Sequence, residues 1–502
     1  MARPPEHIVI VGGGSAGWMA ASIFLASFGR QGSRISLVES SNVPTIGVGE
    51  GTTPLFKRFL KFLGIPEAEF MAACNATYKH GIEFPDWTAN DEFPSYFHPF
   101  ASPAFSQYDR PFFEACNRRR RGEAADTDPA GYFFAAELAA QRKAPAGPPP
   151  RTPDKIDYAY HFDAGLLAEF LKQRCRENGI NHVIDHVNDV VLKENGDISH
   201  LVTEEGGELH GDFFVDCTGF ARRLLGQRLG AEFTSYKPRL FNDSAVALRT
   251  PLPEEGDIPP YTESRALSAG WAWRIPLTNR IGWGYVHSSD YITSEEAERE
   301  LRELIGAPAE DQPARHLKMQ TGRVSEHWKN NCVAIGLSQG FIEPLEATAL
   351  GLVQFSINRF VTQFARGNFE PTYRDHFNRI VNDAFDSTLD YIQMHYKLTT
   401  RRDTPYWRDC AANENISDVM RGVIEGWDSE APDFLPVLQR HVQGSSYAPY
   451  SWYCILSGMG RYPAGAAVGQ KAENPYRGEA GRYYGHREYL ENQVGGPSGP
   501  TP

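Results

Sequence analysis

His7-Ile8-Val9-Ile10-Val11-Gly12-Gly13-Gly14-Ser15-Ala16-Gly17 decides the fold of this chain. A short apolar run with no polar alternation has the pattern of a strand buried on both faces of a parallel sheet. The glycines turn it into a stretch rich in Ala, Met and Ile, the pattern of a helix, and Arg34-Ile-Ser-Leu-Val-Glu39 follows as a second strand. That is one β-α-β unit, and it sets the α/β class. Gly12, Gly14 and Gly17 have the G-x-G-x-x-G spacing between strand and helix. There the backbone turns tightly, and the amides of Ser15 and Ala16 open a helix N-terminus that favours a pyrophosphate. Glu39 stands 22 residues beyond Gly17, at the end of the second strand, where a carboxylate meets ribose hydroxyls. The fingerprint fits NAD or FAD.

Composition narrows the function classes. The 502 residues allow two or three structural units with ample core. A net charge of −13 argues against nucleic acid, whose phosphates call for a basic surface. Seven scattered cysteines form no CxxC pair and no zinc spacing, so neither disulfides nor a metal centre is expected. No signal core or long apolar run is read, which points to the cytoplasm and away from membranes. A homodimer would be unsurprising, and no motif specifies one.

Further along, 143–153 is a proline-rich breaker, read as an exposed loop. Asp163 to Asn178 has the apolar spacing of an amphipathic helix. Trp271 to Ile275 and Ile281 to His287, separated by Thr278-Asn279-Arg280, form a hairpin in a mixed or antiparallel sheet. Helices are expected over 345–370, 374–398 and 415–442. The Gly/Pro-rich tail from 463 is expected to be irregular.

Two later segments favour FAD. Phe213-Phe-Val-Asp216-Cys-Thr-Gly219 and Val333-Ala-Ile-Gly336-Leu337-Ser338 are apolar strands ending in glycine turns. They resemble the second and third dinucleotide contacts of p-hydroxybenzoate-hydroxylase-like flavoproteins. A second glycine strip, Ile46-Gly-Val-Gly49-Glu50-Gly51, follows the first unit, and no second G-x-G-x-x-G offers a site for tightly held NADPH.

Four more segments name a reaction. They are Tyr78-Lys79-His80-Gly81, Trp271-Ala-Trp273-Arg-Ile-Pro276, Phe341-Ile-Glu-Pro-Leu-Glu346-Ala-Thr348, and Phe97-His98-Pro-Phe100. With the glycine fingerprint they resemble the flavin-dependent halogenases of the tryptophan-halogenase family. The resemblance runs to about Met459. It implies a p-hydroxybenzoate-hydroxylase-like FAD lobe (1–85 and 155–355) and a mainly helical substrate lobe (86–154 and 356–502). It also implies FADH2 from a separate, transiently bound flavin reductase, with chloride or bromide as co-substrate. Lys79 and Glu346 are then the catalytic pair, and Trp271 and Trp273 the wall that keeps the substrate off the flavin. Thr348 and Ala349 would hold the halide through backbone amides. His98, Phe100, Tyr450 and Trp452 would flank a small aromatic substrate.

Two departures stand out. The family reads Ser-Thr-Gly where this chain has Ala347-Thr348-Ala349, losing a hydroxyl but keeping the amides. From Phe434 to Ala472 there is no Asp or Glu, whereas tryptophan halogenases bind the substrate's ammonium from this region. An unpaired buried ammonium costs several kcal/mol, so a neutral indole is expected over free tryptophan. A flavin monooxygenase and a silent reduced-flavin-binding protein are the rival readings.

Overall fold

The computed structural model describes residues 3–42, 49–102, 109–152, 155–253 and 256–494. His7–Val11 is a fully buried strand at the centre of a six-stranded sheet. Arg34–Glu39 and Phe213–Asp216 flank it in parallel, and Cys332–Ala334 pairs beyond Phe213–Asp216. Asn181–Ile184 adds to one edge in parallel, and Trp328–Lys329 closes the other antiparallel. Val11 is level with Asp216, and Asp216 with Ala334. The three glycine turns therefore emerge side by side from the carboxyl ends of adjacent strands, where open α/β sheets bind ligands.

A second sheet of seven strands contains the tryptophan hairpin. Gly270–Pro276 and Ile281–His287 pair antiparallel, with Trp273 opposite Gly284. Gly81–Pro85 and Ser95–Pro99 extend that sheet at one edge. A third, small sheet sets Glu50–Gly51 and Thr77–Lys79 on either side of Ala159–Phe162. Helices Ala349–Arg366, Arg374–Leu398, Pro405–Ala412, Asp418–Asp428, Leu435–His441 and Pro449–Gly458 fill the later half. The chain is a mixed α/β protein in which a Rossmann-like lobe is joined by a helical one. No helix among the described residues is long and apolar enough to cross a membrane.

Several expectations change. The division at 85/86 cuts the hairpin Gly81–Pro85/Ser95–Pro99, and the one at 355/356 cuts helix Ala349–Arg366. The stretch 415–442 holds two helices, with a break at the serine-capped start Ser417 and another before Leu435. Only 463–476 of the tail is largely irregular as expected: beyond it Arg477–Ala480 and His486–Val494 are helical, and Tyr476, Ala480, Tyr483, His486 and Leu490 are buried. It also covers part of the proline-rich segment. Lys143 bridges to Gly485, Arg151 pairs with Glu479, and Ala144 and Ala146 are buried. Apolar side chains spaced among glycines and prolines carry no periodicity, so this docking could not be read locally.

Candidate active site

The first glycine turn is shaped by what lies behind it. Gly12 has φ +113°, and a Cβ there would meet the Cys217 carbonyl at 2.2 Å. Any Cβ on Gly13 would strike the Glu39 side chain. Gly14 differs: nothing stands within 4 Å of its Cβ position, and the helix it opens has no side-chain cap. With no side chain capping it, the helix start carrying the Ser15, Ala16 and Gly17 amides is a cradle suited to a phosphate. Gly336 (φ +72°) abuts Ala16, so its turn, which Leu337 continues, meets the first one, and Gly219 (φ +71°) borders open space. Glu39 ends its strand at intermediate exposure, beside His182 at 2.8 Å and Lys172 at 3.5 Å. Asp216 corrects a sequence reading. It is fully buried, with Oδ1 accepting from Thr218 and Ser338 and Oδ2 from the amides of Leu224 and Leu225. It has no oxygen left for a cofactor and instead ties the second and third turns together.

Gly49 (φ +100°) packs near Ile275, and the preceding strip residues Ile46 to Val48 lie outside the described residues. Glu50 is half-buried, and desolvation, then the Asp163 carboxylate, push it up to about 7.

Lys79 ends the strand Thr77–Lys79 and is fully buried, with no hydrogen-bond partner for Nζ among the described residues. Its Nζ lies 5.5 Å from the centre of the Phe100 ring. A Cβ on Gly51 would sit 3.1 Å from Nζ, 3.4 Å from the Ala347 Cβ and 3.5 Å from Thr262 Oγ1. The amine, the loop before helix Ala349–Arg366 and the Thr262 hydroxyl thus converge on one glycine. Burial pulls the Lys79 amine down to about 7, while the Glu346 carboxylate pulls the other way. Beneath it a chain of hydrogen bonds has a fixed direction. The Thr77 hydroxyl donates to the Pro276 carbonyl, so it accepts from His161 Nδ1, and the remaining His161 Nε2 accepts from Thr262.

Glu346 is fully buried, and burial alone would raise it. His98 and His395 outweigh that and hold it at about 2. His98 Nδ1 stands 3.0 and 2.9 Å from the two carboxylate oxygens, and His98 Nε2 is 2.9 Å from Ser451 Oγ. His395 Nε2 is 3.3 Å from Glu346 Oε1, while its Nδ1 faces the Tyr391 carbonyl. His98, read as a substrate contact, is thus first a ligand of Glu346. The sequence reading missed His395. It also missed Glu343, whose Oε2 accepts from Trp271, Asn242 and Tyr396 and so fixes the inner tryptophan.

Trp271 and Trp273 share one sheet face with ring centres 6.1 Å apart. Gly284 leaves room for Trp273; a Cβ there would lie 2.0 Å from its ring. Thr348 precedes the helix that Ala349 begins without its side chain capping it, and Ala347 before it takes a left-handed φ of +55°. A cleft of about 990 Å³ runs outward from Glu346 and Thr348 along His98, Phe100, Tyr450 and Trp452. Asp157 lies on its wall, an acid from outside the 434–472 segment.

The strand bearing Lys79 is buttressed from the tail. The Tyr78 amide donates to His486 Nε2 at 3.1 Å, and His486 Nδ1 donates to the Ile258 carbonyl. Burial holds this ring down at about 4, so it stays neutral as the acceptor role requires. Losing the acceptor strands a buried amide, at about 1–3 kcal/mol. Small displacements of a reacting group cost up to about 100-fold. His486→Ala is therefore expected to lower turnover by roughly tenfold or more. FAD affinity should stay unchanged, with His486→Gln restoring part of the loss. Product yield and flavin titration on the same preparations check this.

The sequence profile described as tryptophan halogenase matches residues 7–473. The chain belongs to that family. The halogenase is 41% identical to the tryptophan 6-halogenase of Streptomyces toxytricini over 91% of this chain and 90% of that protein. It is 35% identical to the tryptophan 7-halogenase of Lentzea aerocolonigenes over 91% and 90%. Among solved structures, the Streptomyces toxytricini enzyme superposes with a TM-score of 0.81, at 39% identity and 98% and 97% coverage. A flavin-dependent halogenase from Xanthomonas campestris gives 0.84, at 33% identity and 99% and 100% coverage. The chain is thus an enzyme, a flavin-dependent halogenase. The glycine cradle at Gly14 and the two adjoining turns at Gly219 and Gly336 fit an FAD.

Proposed function

We propose that this halogenase places chlorine or bromine on an indole-type ring by electrophilic substitution, with Lys79 receiving the oxidant. The observation that carries this reading is a fully buried, unpartnered lysine amine in the field of a carboxylate gripped by two imidazoles. When bound, FADH2 from a separate flavin reductase supplies hypohalous acid from oxygen and halide. The amides at Thr348 and Ala349, at a helix start, hold the halide, and Trp271 and Trp273 keep the organic ring away from the flavin.

Lys79 then does the transfer. With a value of about 7, a large fraction of the amine is unprotonated at neutral pH. Its lone pair takes the halogen, forming N–X, and the hydroxyl leaves as water with one amine proton. As the ring attacks, N–X breaks and the halogen passes to carbon. Glu346 collects the ring proton and returns it to the Lys79 nitrogen. A carboxylate at about 2 is a weak base. The cationic ring it serves is a far stronger acid than ordinary donors, so this basicity suffices.

The lack of any Asp or Glu between Phe434 and Ala472 favours neutral indole. Free tryptophan is the second reading, favoured by the names of the relatives and by Asp157 on the cleft wall. The test is turnover with FAD, a flavin reductase, NADH, oxygen and indole, with bromide or chloride. The expected product shows the halogen isotope pair and needs both halide and reduced flavin. An oxygen-only mass shift overturns the reading in favour of a monooxygenase. In competition, indole is expected to outrun tryptophan. Equal turnover that Asp157→Asn abolishes for tryptophan alone would assign the amino acid instead.

A further inference from the structure

Outside the halogenation site, one cluster converges on a point and is used by nothing described above. Strands Val187–Leu192, Ile198–Thr203 and Gly207–His210 form a three-stranded antiparallel ribbon. His200 and His210 face each other directly across it, with ring centres 4.9 Å apart. Glu208 is two residues before His210, which by the pleat puts both on one face. His210 Nε2 lies 2.9 Å from Glu208 Oε2, and His200 Nε2 lies 3.7 Å from Oε1. The donor atoms of all three lie within 4.8 Å of one another.

We propose that His200, Glu208 and His210 form a binding site for a divalent cation of the zinc, nickel and copper class. Two imidazoles and one carboxylate are a three-ligand set that such ions accept, with water in the open position. Magnesium and calcium are excluded by their demand for oxygen ligands. Metal–nitrogen bonds of about 2.0–2.1 Å place neighbouring ligand atoms about 3.3 Å apart. Closing to that spacing needs only side-chain rotation. Glu208 and His210 are free to make it, with side chains 60% and 63% exposed, while His200 at 14% is the fixed ligand. The Ser199 hydroxyl, 3.2 Å from His200 Nδ1, occupies the other ring nitrogen and leaves Nε2 for the ion. The ligands come from facing strands, so no linear spacing in the sequence reveals them.

An ion here would staple the ribbon. The ribbon is itself clasped to the FAD-binding sheet, since Asn331 accepts from the Ile198 amide and donates to the carbonyls of Ile198 and Asp212. Metal binding is thereby linked to the stability of the whole lobe.

The test is calorimetric titration of the FAD-bound, tag-free enzyme with zinc chloride, and separately with magnesium chloride. One zinc and no magnesium are expected, with a zinc-dependent rise in melting temperature. His210→Ala and Glu208→Gln, both at exposed positions, should weaken zinc by more than the roughly 10–100-fold that an outer-sphere partner costs. Their melting temperatures without metal should match the parent. A double His200→Ala/His210→Ala variant should bind none. Zinc binding that survives in the double variant, or no binding to the parent at 100-fold excess over protein, would overturn the proposal.

Discussion

Lys79→Met should lose halogenation by roughly 10³-fold or more, while FAD binding and flavin reoxidation by oxygen continue and hydrogen peroxide accumulates. Methionine keeps the volume of a fully buried side chain, so no cavity confuses the result. A variant that also loses FAD would show that the lysine had been misplaced. The same substitution should stabilise the fold. The Lys79 amine sits at about 7 in the folded chain against an ordinary 10.5, so between these values the unfolded chain binds the extra proton. Folding stability therefore rises with pH across that window, and the whole burial penalty is present below it. Removing the amine relieves a cost on the order of 4 kcal/mol at neutral pH. Melting temperatures of variant and parent should differ most at or below pH 7 and converge towards 10.5.

Glu346→Gln is the second. An amide cannot take the ring proton, so turnover should fall by roughly 10²–10⁴-fold. Binding of FAD should be unaffected, because Glu346 faces His98 and His395. Stability should fall as well, since breaking a buried charge pair costs about 3–5 kcal/mol. The pH dependence has the opposite sign to that of Lys79. A carboxyl held at about 2 against an ordinary 4.5 stabilises the fold above 4.5, and loses that contribution as pH falls towards 2. The parent's acid destabilisation over that range should be blunted in the variant, which urea unfolding at several pH values would measure.

Much of this was legible in the sequence where the signal is local. The run His7–Val11 with its glycines announced a buried strand and a turn, because glycine spacing and apolar content are read over a dozen residues. The tryptophan hairpin followed from strict alternation. Lys79 and Glu346 were singled out through the family resemblance of their short surroundings. What holds them was not. His395 reaches Glu346 from helix Arg374–Leu398, and His98 from a strand 248 residues earlier. Thr77, His161 and Thr262 form one hydrogen-bonded chain across three separate segments. Asp216 looked like a cofactor contact because it ends a strand at a glycine turn, and only the count of its five donors shows otherwise. Partners set by tertiary packing leave no periodicity behind.

The bond between the Tyr78 amide and His486 spans 408 residues. At a synthesis rate of roughly 5–20 residues per second, a ribosome adds those residues in about 20 to 80 seconds. The last of the three glycine turns, at Gly336, is complete 150 residues before His486 is added, and over that stretch the lysine strand still lacks its backing. A growing polypeptide can thus complete its glycine turns well before the strand bearing Lys79 is held in place. Chains cut short by a premature stop would stay in that half-armed condition.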